Sequence, residues 1–347
     1  MGETEHLPLI TVSFPVFEGD NYIEASLHSV LCQDYPNIEL LIIDDKGKTK
    51  AFEIAESIIK DTKQQVKIIR NSVNLGQGFV RNKSIELAKG DYIFFMDSDD
   101  ILSPDCISLL VDTILAYNVD FVGASSVNLE HEIISDHFIY PEFKVIKDTP
   151  LTESIYLDGI SISPYMWNKL YNVNLLKEND IKCTHPYMED FHFSFLLFNI
   201  ATSCVLLPNI TYKYVLHDTS ISRTSFGKNL SQKTADIAME IVLSEYAILD
   251  KMTNQVIKEK ALLEIIGFGI MYVFKIKVSS TLSALYKNYA KKILTYPRLN
   301  VSEYTHFSKY EKNKHIYYRV LQILPFQFKL VLIRLFNFPH YRKRVYM

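Results

Sequence analysis

Short apolar segments alternate with amphipathic segments through the first 125 residues. Runs of Val, Ile and Leu predict strands, and apolar residues that recur every three or four positions predict helices. The predicted strands are Leu9–Phe14, Ile38–Ile43, Val66–Arg70, Tyr92–Met96 and Val119–Ala124, and the predicted helices are Asn21–Gln33, Ala51–Lys60, one ending near Lys89 and one after Ser103. This alternation is typical of an α/β fold, in which a mostly parallel sheet carries helices on both faces.

Local residues mark the ends of several elements. Pro15 is expected to end the first strand, and Asp20 to cap the helix that follows. Ser103-Pro104 is expected to open the fourth helix, with serine as the cap and proline at the first helical position.

Three predicted strands are followed directly by polar residues. These clusters are Phe17-Glu18, Asp44-Asp45 and the tetrad Asp97-Ser98-Asp99-Asp100. Because ligands of parallel α/β sheets bind beyond the carboxyl ends of the strands, the three clusters predict a ligand site at one edge of the sheet.

The acidic tetrad Asp97-Ser98-Asp99-Asp100 predicts a metal site. Neighbouring carboxylates repel one another unless a cation or hydrogen bonds compensate their charge. Mg²⁺ and Mn²⁺ prefer oxygen ligands, and Mg²⁺ is commonly bound by one or two carboxylates together with substrate phosphates. Such a metal would stabilise a departing nucleoside diphosphate. The alternative is an acidic turn that caps the next helix, although Ser103-Pro104 already supplies that cap.

Further positions carry candidate chemistry. Asp44 or Asp45 can accept hydrogen bonds from a base or ribose, with an ordinary Asx-turn as the alternative. Arg81 can pair with phosphate, although a solvated helix residue is the commoner role. In Glu189-Asp190, a carboxylate can remove a proton from an acceptor hydroxyl or stand in the first turn of a helix, stabilised by the helix dipole.

Two single residues have weaker patterns around them. Trp167, the only tryptophan, is either a core residue or a platform for a sugar ring. His217, taken by itself, is more typical of a structural or surface residue than of a metal ligand.

The rest of the chain changes in character. Residues 148–224 are rich in aromatic residues, and the sequence beyond about residue 225 indicates helices. From Lys309 to the end, nine Lys and Arg residues accompany one acid, Glu311, and alternate with apolar and aromatic residues. That composition is typical of a helix lying in a membrane interface. The alternative is a helical cap that packs on the catalytic domain or on a dimer partner.

Composition excludes several classes of protein. A hydrophobic share of 48% and a charged share of 22% indicate a globular protein, and a net charge of −3 gives no reason to expect a nucleic acid partner. The four cysteines are scattered and the N-terminus lacks the pattern of a signal peptide, so we expect a cytoplasmic protein without disulfides. No apolar run is long enough to predict a transmembrane helix.

Four segments together resemble glycosyltransferase family 2, a large group of mostly inverting bacterial transferases. They are VSFPVF at residues 12–17, SVLCQDYPNIELLIIDD at 29–45, NLGQGFVRNKSIELAKGDYIFFMDSDD at 74–100 and MEDFHFSF at 188–195. The resemblance covers roughly residues 8–224. It implies a GT-A fold, which is a Rossmann-like sheet, followed here by a helical C-terminal region.

The resemblance also implies roles for individual residues. On the donor side it implies that Phe17 stacks on the base with Pro15 alongside, that Asp45 or its neighbour Asp44 binds the base, and that Arg81 lies on the phosphate side. Glu18 and Ser98, next to these positions, are further candidates for nucleotide or substrate binding. It implies Asp97 and Asp99 of the DXD motif as ligands of Mn²⁺ or Mg²⁺, with His217 near the metal or diphosphate. Asp190 of the ED motif matches the catalytic base beside Glu189, and Asp100 and Trp167 are further substrate-binding candidates. One departure is Lys46-Gly47-Lys48, where the family usually has Gly-Ser after its paired acids.

The predicted function is a metal-dependent sugar transfer, with inversion, from a nucleotide sugar such as a UDP-sugar to a hydroxyl of a growing or lipid-linked glycan. A catalytically silent sugar-nucleotide-binding relative and a nucleotidyltransferase are the alternatives. The catalytic domain is expected at residues 1–224, with a donor half at 8–125 and an acceptor half at 126–224, and a helical region at 225–347. Peripheral contact with the inner membrane face and a homodimer are further expectations.

Overall fold

The computed structural model describes residues 7–217, 232–275, 288–289, 291–293 and 308–323. The described chain divides into two compact units. Among the described residues, the first comprises residues 7–151 and 161–216, and the second comprises residues 152–160, 217, 232–275, 288–289, 291–293 and 308–323.

The first unit alternates strands and helices in the predicted order. Its strands are β1 Ile10–Val16, β2 Ile38–Asp44, β3 Gln65–Arg70, β4 Tyr92–Phe95, β5 Ile101–Leu102, β6 Phe121–Glu130, β7 Ile133–Phe138, β8 Lys144–Ile146, β9 Lys169–Asn172 and β10 Cys204–Val215. The helices along this part of the chain are α1 Ile23–Leu31, α2 Ala51–Ile59, α3 Gln77–Leu87, α4 Cys106–Tyr117, α5 Leu151–Tyr156, α6 Val173–Glu178 and α7 Glu189–Ile200.

The described strands form one sheet in the order β3-β2-β1-β4-β9-β6-β10-β5, with β7 beside β6 and β8 beside β10. The half that contains β1 to β4 is parallel, whereas β9 pairs antiparallel with both β4 and β6. Every residue of β2 is buried, as expected for a strand in the middle of a covered sheet. The predicted α/β class is confirmed, and the sheet is mixed because β9, as well as β5, β7 and β8, pairs antiparallel with its neighbours.

Three predicted boundaries are wrong. Pro15 does not end β1: the strand pairs with β4 only as far as Ser13, so the missing N–H of Pro15 costs no hydrogen bond toward β4. Asp20 does not cap α1, because its carboxylate accepts a hydrogen bond from the backbone N–H of Lys50 at 3.2 Å. The fourth helix begins at Cys106, after a turn at Ser103-Pro104.

The second unit is helical in the part that the structure describes, with α8 at Gln232–Leu249, α9 at Gln255–Lys275 and α10 at Lys309–Ile323. Helix α10 packs on α9 through an ion pair between Lys314 and Glu264 at 2.9 Å. No helix among the described residues is both long and apolar enough to span a membrane. The predicted domain boundary at residue 224 and the basic tail beyond residue 323 lie outside the described residues.

Candidate active site

The strand order reverses at β1, and this reversal creates a crevice at the carboxyl ends of β1 and β4. The chain runs from β1 to β2 and β3 on one side, whereas β4 lies on the other side of β1. Open α/β sheets bind ligands at such a switch point. Phe17-Glu18 follows β1 and the acidic tetrad follows β4. Two of the three polar clusters predicted from the sequence therefore border the crevice.

The loop after β2 lies against the backbone of Phe17. A Cβ atom at Gly47 would stand 1.3 Å from the carbonyl oxygen of Phe17, so only glycine fits there. The preceding residue, Lys46, has a φ of 56°, which residues with a side chain seldom adopt. The ring of Phe17 stays 39% exposed, beside exposed Glu18 and half-buried Pro15. The loop at Lys46-Gly47-Lys48, which departs from the family pattern, thus packs against the backbone of Phe17, the residue predicted to stack on a base.

Asp44 and Asp45 both hold parts of the protein in place. Asp45 is 3% exposed and accepts hydrogen bonds from the loop of residues 71–76, including one at 2.7 Å from the N–H of Gly76. Asp44 forms an ion pair with Arg70 at 3.1 Å. Both carboxylates stabilise loops at the sheet edge, and their contact with a nucleobase stays a prediction.

Arg81 on α3 is the centre of the candidate site. Its guanidinium lies 2.6 Å from Asp97, 2.6 Å from Glu189 and 2.8 Å from Asp190, measured between nitrogen and carboxylate oxygen. The residue is 1% exposed. The guanidinium group of Arg81 thus contacts both the tetrad and the Glu189-Asp190 pair. Asp97 and Glu189 are more than 90 residues apart along the chain. In this structure the guanidinium group of Arg81 contacts carboxylates. It is not exposed, so it is not open to the phosphate contact that the sequence predicts.

Close backbone packing brings these segments together. The N-terminus of α3 lies against the segment that precedes α7, and the N–H of Gly78 donates to the carbonyl of Pro186 at 3.1 Å. A Cβ atom at Gly78 would stand 2.1 Å from the carbonyl oxygen of His185. Met188, directly before α7, has a φ of 59°, and such strained residues commonly occur at functional sites.

Burial and charge shift the pKa values of this group. Burial alone would lower the pKa of Arg81, but Asp190, Asp97 and Glu189 outweigh it and raise that pKa well above its ordinary value. Burial raises the pKa of Asp97 to about 6 despite the opposing charge of Arg81, with Asp99 adding to the rise. Burial likewise raises the pKa of Glu189 to about 8, against Arg81. Burial and the neighbouring Asp190 thus favour the protonated form of Glu189, while Arg81 favours its ionised form.

The members of the tetrad have different environments. Asp100 is fully buried, and its two oxygens accept hydrogen bonds from the hydroxyl of Tyr212 at 2.6 Å and the N–H of Val215 at 2.8 Å. Burial, reinforced by Asp99 and Asp97, raises the pKa of Asp100 well above its ordinary value. These hydrogen bonds connect Asp100, and with it the tetrad, to β10. Neither oxygen of Asp100 is exposed, so neither is open to the substrate contact that was predicted for it.

Asp97 and Asp99 offer a donor set for a divalent cation. The Oδ1 atom of Asp97 accepts from Arg81 and from Gln77, whereas its Oδ2 atom accepts no hydrogen bond from the described residues. Asp99 and Ser98 are half-buried. Within the described ranges, no group of three His, Cys, Asp or Glu side chains surrounds a common metal position. Two carboxylates fit a hard cation that takes its other ligands from a diphosphate and water.

His217 stays a prediction as a metal or diphosphate contact. It follows β10, is half-buried and belongs to the second unit.

The predicted base, Asp190, is held by two donors. Its Oδ1 atom accepts from Arg81 at 2.8 Å and from the backbone N–H of Met166 at 2.8 Å. The other side of that same peptide, the carbonyl of Tyr165, accepts a hydrogen bond from the buried ammonium group of Lys169. Burial lowers the pKa of Lys169 to about 7, although Asp190 opposes the change. The Tyr165–Met166 peptide therefore lies between a buried cation and the candidate base.

Trp167 does not present a ring face to a sugar. It is 3% exposed and stacks on Tyr165, with ring centroids 4.7 Å apart, and on Tyr212, with centroids 4.5 Å apart. Of the two roles that the sequence left open for Trp167, the structure shows the role in the core.

Gln77, Lys169 and Tyr212 belong to the site but were not predicted. Gln77 donates to Asp97 at 2.5 Å, and Tyr212 both donates to Asp100 and accepts from the N–H of Asp97 at 3.3 Å. None of them lies in a cluster of charged residues. Only the pairing of β9 and β10 into the sheet brings Lys169 and Tyr212 to this edge, so no local pattern could have identified them.

Residues 11–167 match the model of the family described as glycosyl transferase family 2. These residues therefore form a glycosyltransferase family 2 domain. The family 2 domain contains the Phe17 cluster, Arg81 and the tetrad, whereas the Glu189-Asp190 pair lies beyond the matched residues.

Individual relatives agree with the family match. A segment of 100 residues is 41% identical to an uncharacterized glycosyltransferase of Haemophilus influenzae, covering 29% of this chain and 40% of that protein. Over 188 residues the chain is 26% identical to the Escherichia coli protein named UDP-Glc:alpha-D-GlcNAc-diphosphoundecaprenol beta-1,3-glucosyltransferase WfgD, covering 50% of this chain and 72% of that protein. The chain thus spans less than half of the Haemophilus relative.

The fold also matches a solved structure. The crystal structure of Staphylococcus aureus TarS residues 1–349 in complex with UDP-GlcNAc aligns with a TM-score of 0.68, at 20% identity, over 90% of each chain. This likeness confirms the predicted GT-A fold followed by a helical region.

Proposed function

We propose that this family 2 protein transfers a sugar from a UDP-sugar to a hydroxyl group of a growing surface glycan, with inversion at the anomeric carbon. The match to the E. coli relative, whose name specifies UDP-Glc and a lipid-linked acceptor, supports this donor and this class of acceptor. The likeness to a protein crystallised with UDP-GlcNAc agrees with the same donor class.

The observation that carries the proposal is the joining of Asp97 and Asp190 by one buried guanidinium. Arg81 brings the motif expected to face the diphosphate next to the expected base. Asp99 follows Asp97 by two residues in the tetrad. Two carboxylates so close together suit a hard divalent cation that takes its other ligands from a substrate diphosphate, which supports a metal at the tetrad.

Among the described residues no group donates a hydrogen bond to Oδ2 of Asp190, and this oxygen suits the residue to act as a general base. Its Oδ1 atom accepts both protein hydrogen bonds, and its side chain is 20% exposed. The acceptor hydroxyl would give its proton to Oδ2 while the hydroxyl oxygen forms a bond to the anomeric carbon. The bond from that carbon to the nucleoside diphosphate breaks in the same displacement, and this single displacement inverts the configuration.

Asp97 and Asp99 would hold Mn²⁺ or Mg²⁺ at the tetrad. When bound, the cation supplies positive charge for the departing diphosphate. The Gln77 and Arg81 hydrogen bonds keep Oδ1 of Asp97 in place, which leaves Oδ2 directed away from them for the metal.

Release of nucleoside diphosphate from a panel of nucleotide sugars tests the proposal. We expect release from at least one UDP-sugar, and Asp190→Asn should lower the rate of sugar transfer about 10²- to 10⁴-fold. Asp180→Asn, at an exposed aspartate, is the matched control and should retain full activity. Near wild-type turnover by Asp190→Asn would refute the base assignment, and a lack of release from every donor would favour a silent sugar-nucleotide-binding protein.

Removal of divalent metal tests the cofactor. Excess EDTA should abolish transfer, and added Mn²⁺ or Mg²⁺ should restore it. Isothermal titration of Mn²⁺ into the wild type and into Asp99→Asn gives a readout independent of turnover, since the variant should bind the ion about 10-fold or more weakly. Undiminished activity in EDTA, or equal Mn²⁺ affinity, would contradict the metal role.

We also propose that α10 contacts an anionic membrane surface near a lipid-linked acceptor. One face of the helix exposes Ile316, Val320 and Ile323, which are 54%, 41% and 79% exposed. Arg319 is exposed beside them. Apolar residues flanked by basic ones are typical of helices that lie in an anionic interface.

A further inference from the structure

The acidic tetrad folds as a turn that its own backbone closes. The backbone N–H of Asp100 donates to the carbonyl oxygen of Asp97 at 3.2 Å. A hydrogen bond that joins the fourth residue to the first is typical of a β-turn. The same carbonyl oxygen also accepts a hydrogen bond from the hydroxyl of Ser26 at 3.4 Å. The first and last members of the tetrad are therefore fixed relative to each other.

The hydroxyl of Tyr212 closes this turn a second time. It accepts a hydrogen bond from the backbone N–H of Asp97 at 3.3 Å and donates one to Oδ2 of Asp100 at 2.6 Å. A hydroxyl carries one donor and two acceptor lone pairs, so a single group can bridge both residues. The hydrogen bonds run from Asp97 to Tyr212, from Tyr212 to Asp100, and from Asp100 back to Asp97. We call these three hydrogen bonds the turn cycle.

The sheet holds Tyr212 in place. Strand β5 directly follows the tetrad and pairs with β10, so that Leu102 lies opposite Tyr212. Tyr212 is fully buried, and its ring stacks on that of Trp167 with centroids 4.5 Å apart. Because strand pairing and stacking both fix the ring, its hydroxyl fixes the backbone of Asp97.

The polar atoms of Asp97 are nearly all engaged by the described residues. Its N–H and carbonyl belong to the turn cycle, and its Oδ1 atom accepts from Gln77 and Arg81. The remaining atom, Oδ2, is the one proposed above to face the metal. Because the backbone and Oδ1 are both held, the direction of Oδ2 is set as well. Hydrogen bonds outside the ligand shell commonly orient metal ligands in this way.

We propose that Tyr212 is a positioning residue for the divalent cation, because it holds the turn that directs Oδ2 of Asp97 toward the metal. This inference rests on the proposed function and adds the group that orients the ligand. It also assigns Asp100 the role of an acceptor within the turn cycle. Without the hydroxyl, the N–H of Asp97 and Oδ2 of Asp100 would each lose a hydrogen bond, and the turn would hold Asp97 less firmly.

Titration of Mn²⁺ into Tyr212→Phe tests this role. Phenylalanine keeps the ring and its stack on Trp167, so only the hydroxyl is lost. In isothermal titration calorimetry with saturating UDP, we expect the variant to bind Mn²⁺ about 10-fold or more weakly than the wild type. Its rate of sugar transfer should fall at limiting Mn²⁺ and recover toward the wild-type rate at saturating Mn²⁺. A purely structural defect would not be relieved by added metal.

Tyr35→Phe is the matched control. Tyr35 is 5% exposed, and its hydroxyl also bonds to the backbone, donating to the carbonyl of Pro8 at 2.6 Å. Pro8 precedes β1, so this hydrogen bond lies at the end of the strand opposite the crevice. The control should leave Mn²⁺ affinity unchanged.

Asp100→Asn breaks the turn cycle at its other side-chain member. The carboxylate accepts from both Tyr212 and Val215, whereas an amide places an N–H₂ group against one of these donors. This variant should therefore also weaken Mn²⁺ binding. The double variant with Tyr212→Phe should lose little more than the weaker-binding single variant, because both changes break the same cycle.

The outcomes separate this inference from the proposed function. Wild-type Mn²⁺ affinity in Tyr212→Phe and Asp100→Asn, or a loss of rate that saturating Mn²⁺ does not relieve, would overturn the role of Tyr212 alone. Thermal unfolding shows whether each variant is folded, and unfolding of both would also overturn the role, because the turn cycle would then serve the fold. A wild type that binds no Mn²⁺ would overturn the metal role in the proposed function and this inference with it.

Discussion

At the scale of single residues, the candidate site depends on how one guanidinium is shared. Arg81 faces Asp97, Glu189 and Asp190, and its buried Nε atom has no hydrogen-bond partner among the described residues. Its planar guanidinium holds separate N–H donors in fixed directions toward Asp97 and Asp190, whereas a lysine ammonium group lacks this rigid fork. A proton on Glu189 reduces the negative charge around Arg81, so the protonation of Glu189 becomes part of the stability of the fold.

Glu189→Gln should reveal this protonation as a dependence of stability on pH. The pKa of Glu189 is about 8 in the folded chain, against 4.5 as its ordinary value. Between these values the folded state binds more protons than the unfolded state, so the glutamate loses stability as the pH rises, whereas glutamine does not. The Tm of the wild type relative to Glu189→Gln should therefore fall by roughly 2 °C or more between pH 5 and pH 8.

Thermal unfolding followed by circular dichroism at the two pH values measures this difference. Glu178→Gln, at an exposed glutamate, is the control and should change the Tm equally at both. A Tm difference that rises with pH for Glu189→Gln would contradict a proton on the buried side chain.

At the scale of elements, the meeting of β9 and α7 decides the environment of the base. Lys169 begins β9 and Asp190 lies in the first turn of α7, and they contact opposite sides of the Tyr165–Met166 peptide. The ammonium polarises the carbonyl, and the N–H on the other side becomes a stronger donor. Lys169 therefore strengthens the hydrogen bond that orients Asp190, although the two side chains contact different atoms of the peptide.

Lys169→Met should weaken that hydrogen bond. The rate of sugar transfer should fall about 3- to 10-fold, because Asp190 is held less firmly toward the acceptor hydroxyl. Lys177→Met is a matched control, since Lys177 also donates to a backbone carbonyl, that of Ala88 at 2.9 Å, but away from the site. An unchanged rate in Lys169→Met, or an equal loss in Lys177→Met, would contradict this role of Lys169.

The elements themselves follow closely from local sequence. The strands at Ile38–Asp44 and Tyr92–Phe95 lie within a residue of their predicted bounds, because continuous apolar runs have few other stable arrangements. Asp20 is different, because a cap prediction assumes that the side chain has no better partner, and Lys50 supplies one from another loop. Boundary errors of this kind arise where a contact from elsewhere in the chain replaces a local one.

At the scale of the whole molecule, the described part of the basic C-terminal region packs within the second unit and also exposes an apolar face. Lys314, His315 and Leu321 of α10 are buried, so one face of the helix packs within this unit, while packing on the catalytic domain or on a dimer partner stays a prediction. Ile316, Val320 and Ile323 lie four and three residues apart, on one exposed face of the helix. Packing on one face and membrane contact on the other are therefore compatible.

Co-sedimentation with vesicles tests the membrane contact. Replacing Ile316, Val320 and Ile323 with serine should reduce binding to phosphatidylglycerol vesicles by about half or more, and raised salt should weaken the binding of the wild type. Ile133→Ser with Ile134→Ser, at residues 70% and 59% exposed on β7, is the control for loss of exposed apolar surface and should leave binding unchanged. Equal sedimentation of both variants and the wild type would exclude α10 as the contact.

The sequence by itself determined the α/β class, the acidic tetrad at the end of β4, and the family. These features are local, because apolar periodicity and short motifs need only neighbouring residues. Only the tertiary structure showed that Arg81 contacts both Asp97 and Asp190. It also showed that Trp167 lies in the core and that Lys169 and Tyr212 belong to the candidate site. Those facts depend on which distant segments the sheet brings side by side, and the energy of a buried charge depends on all of its neighbours at once.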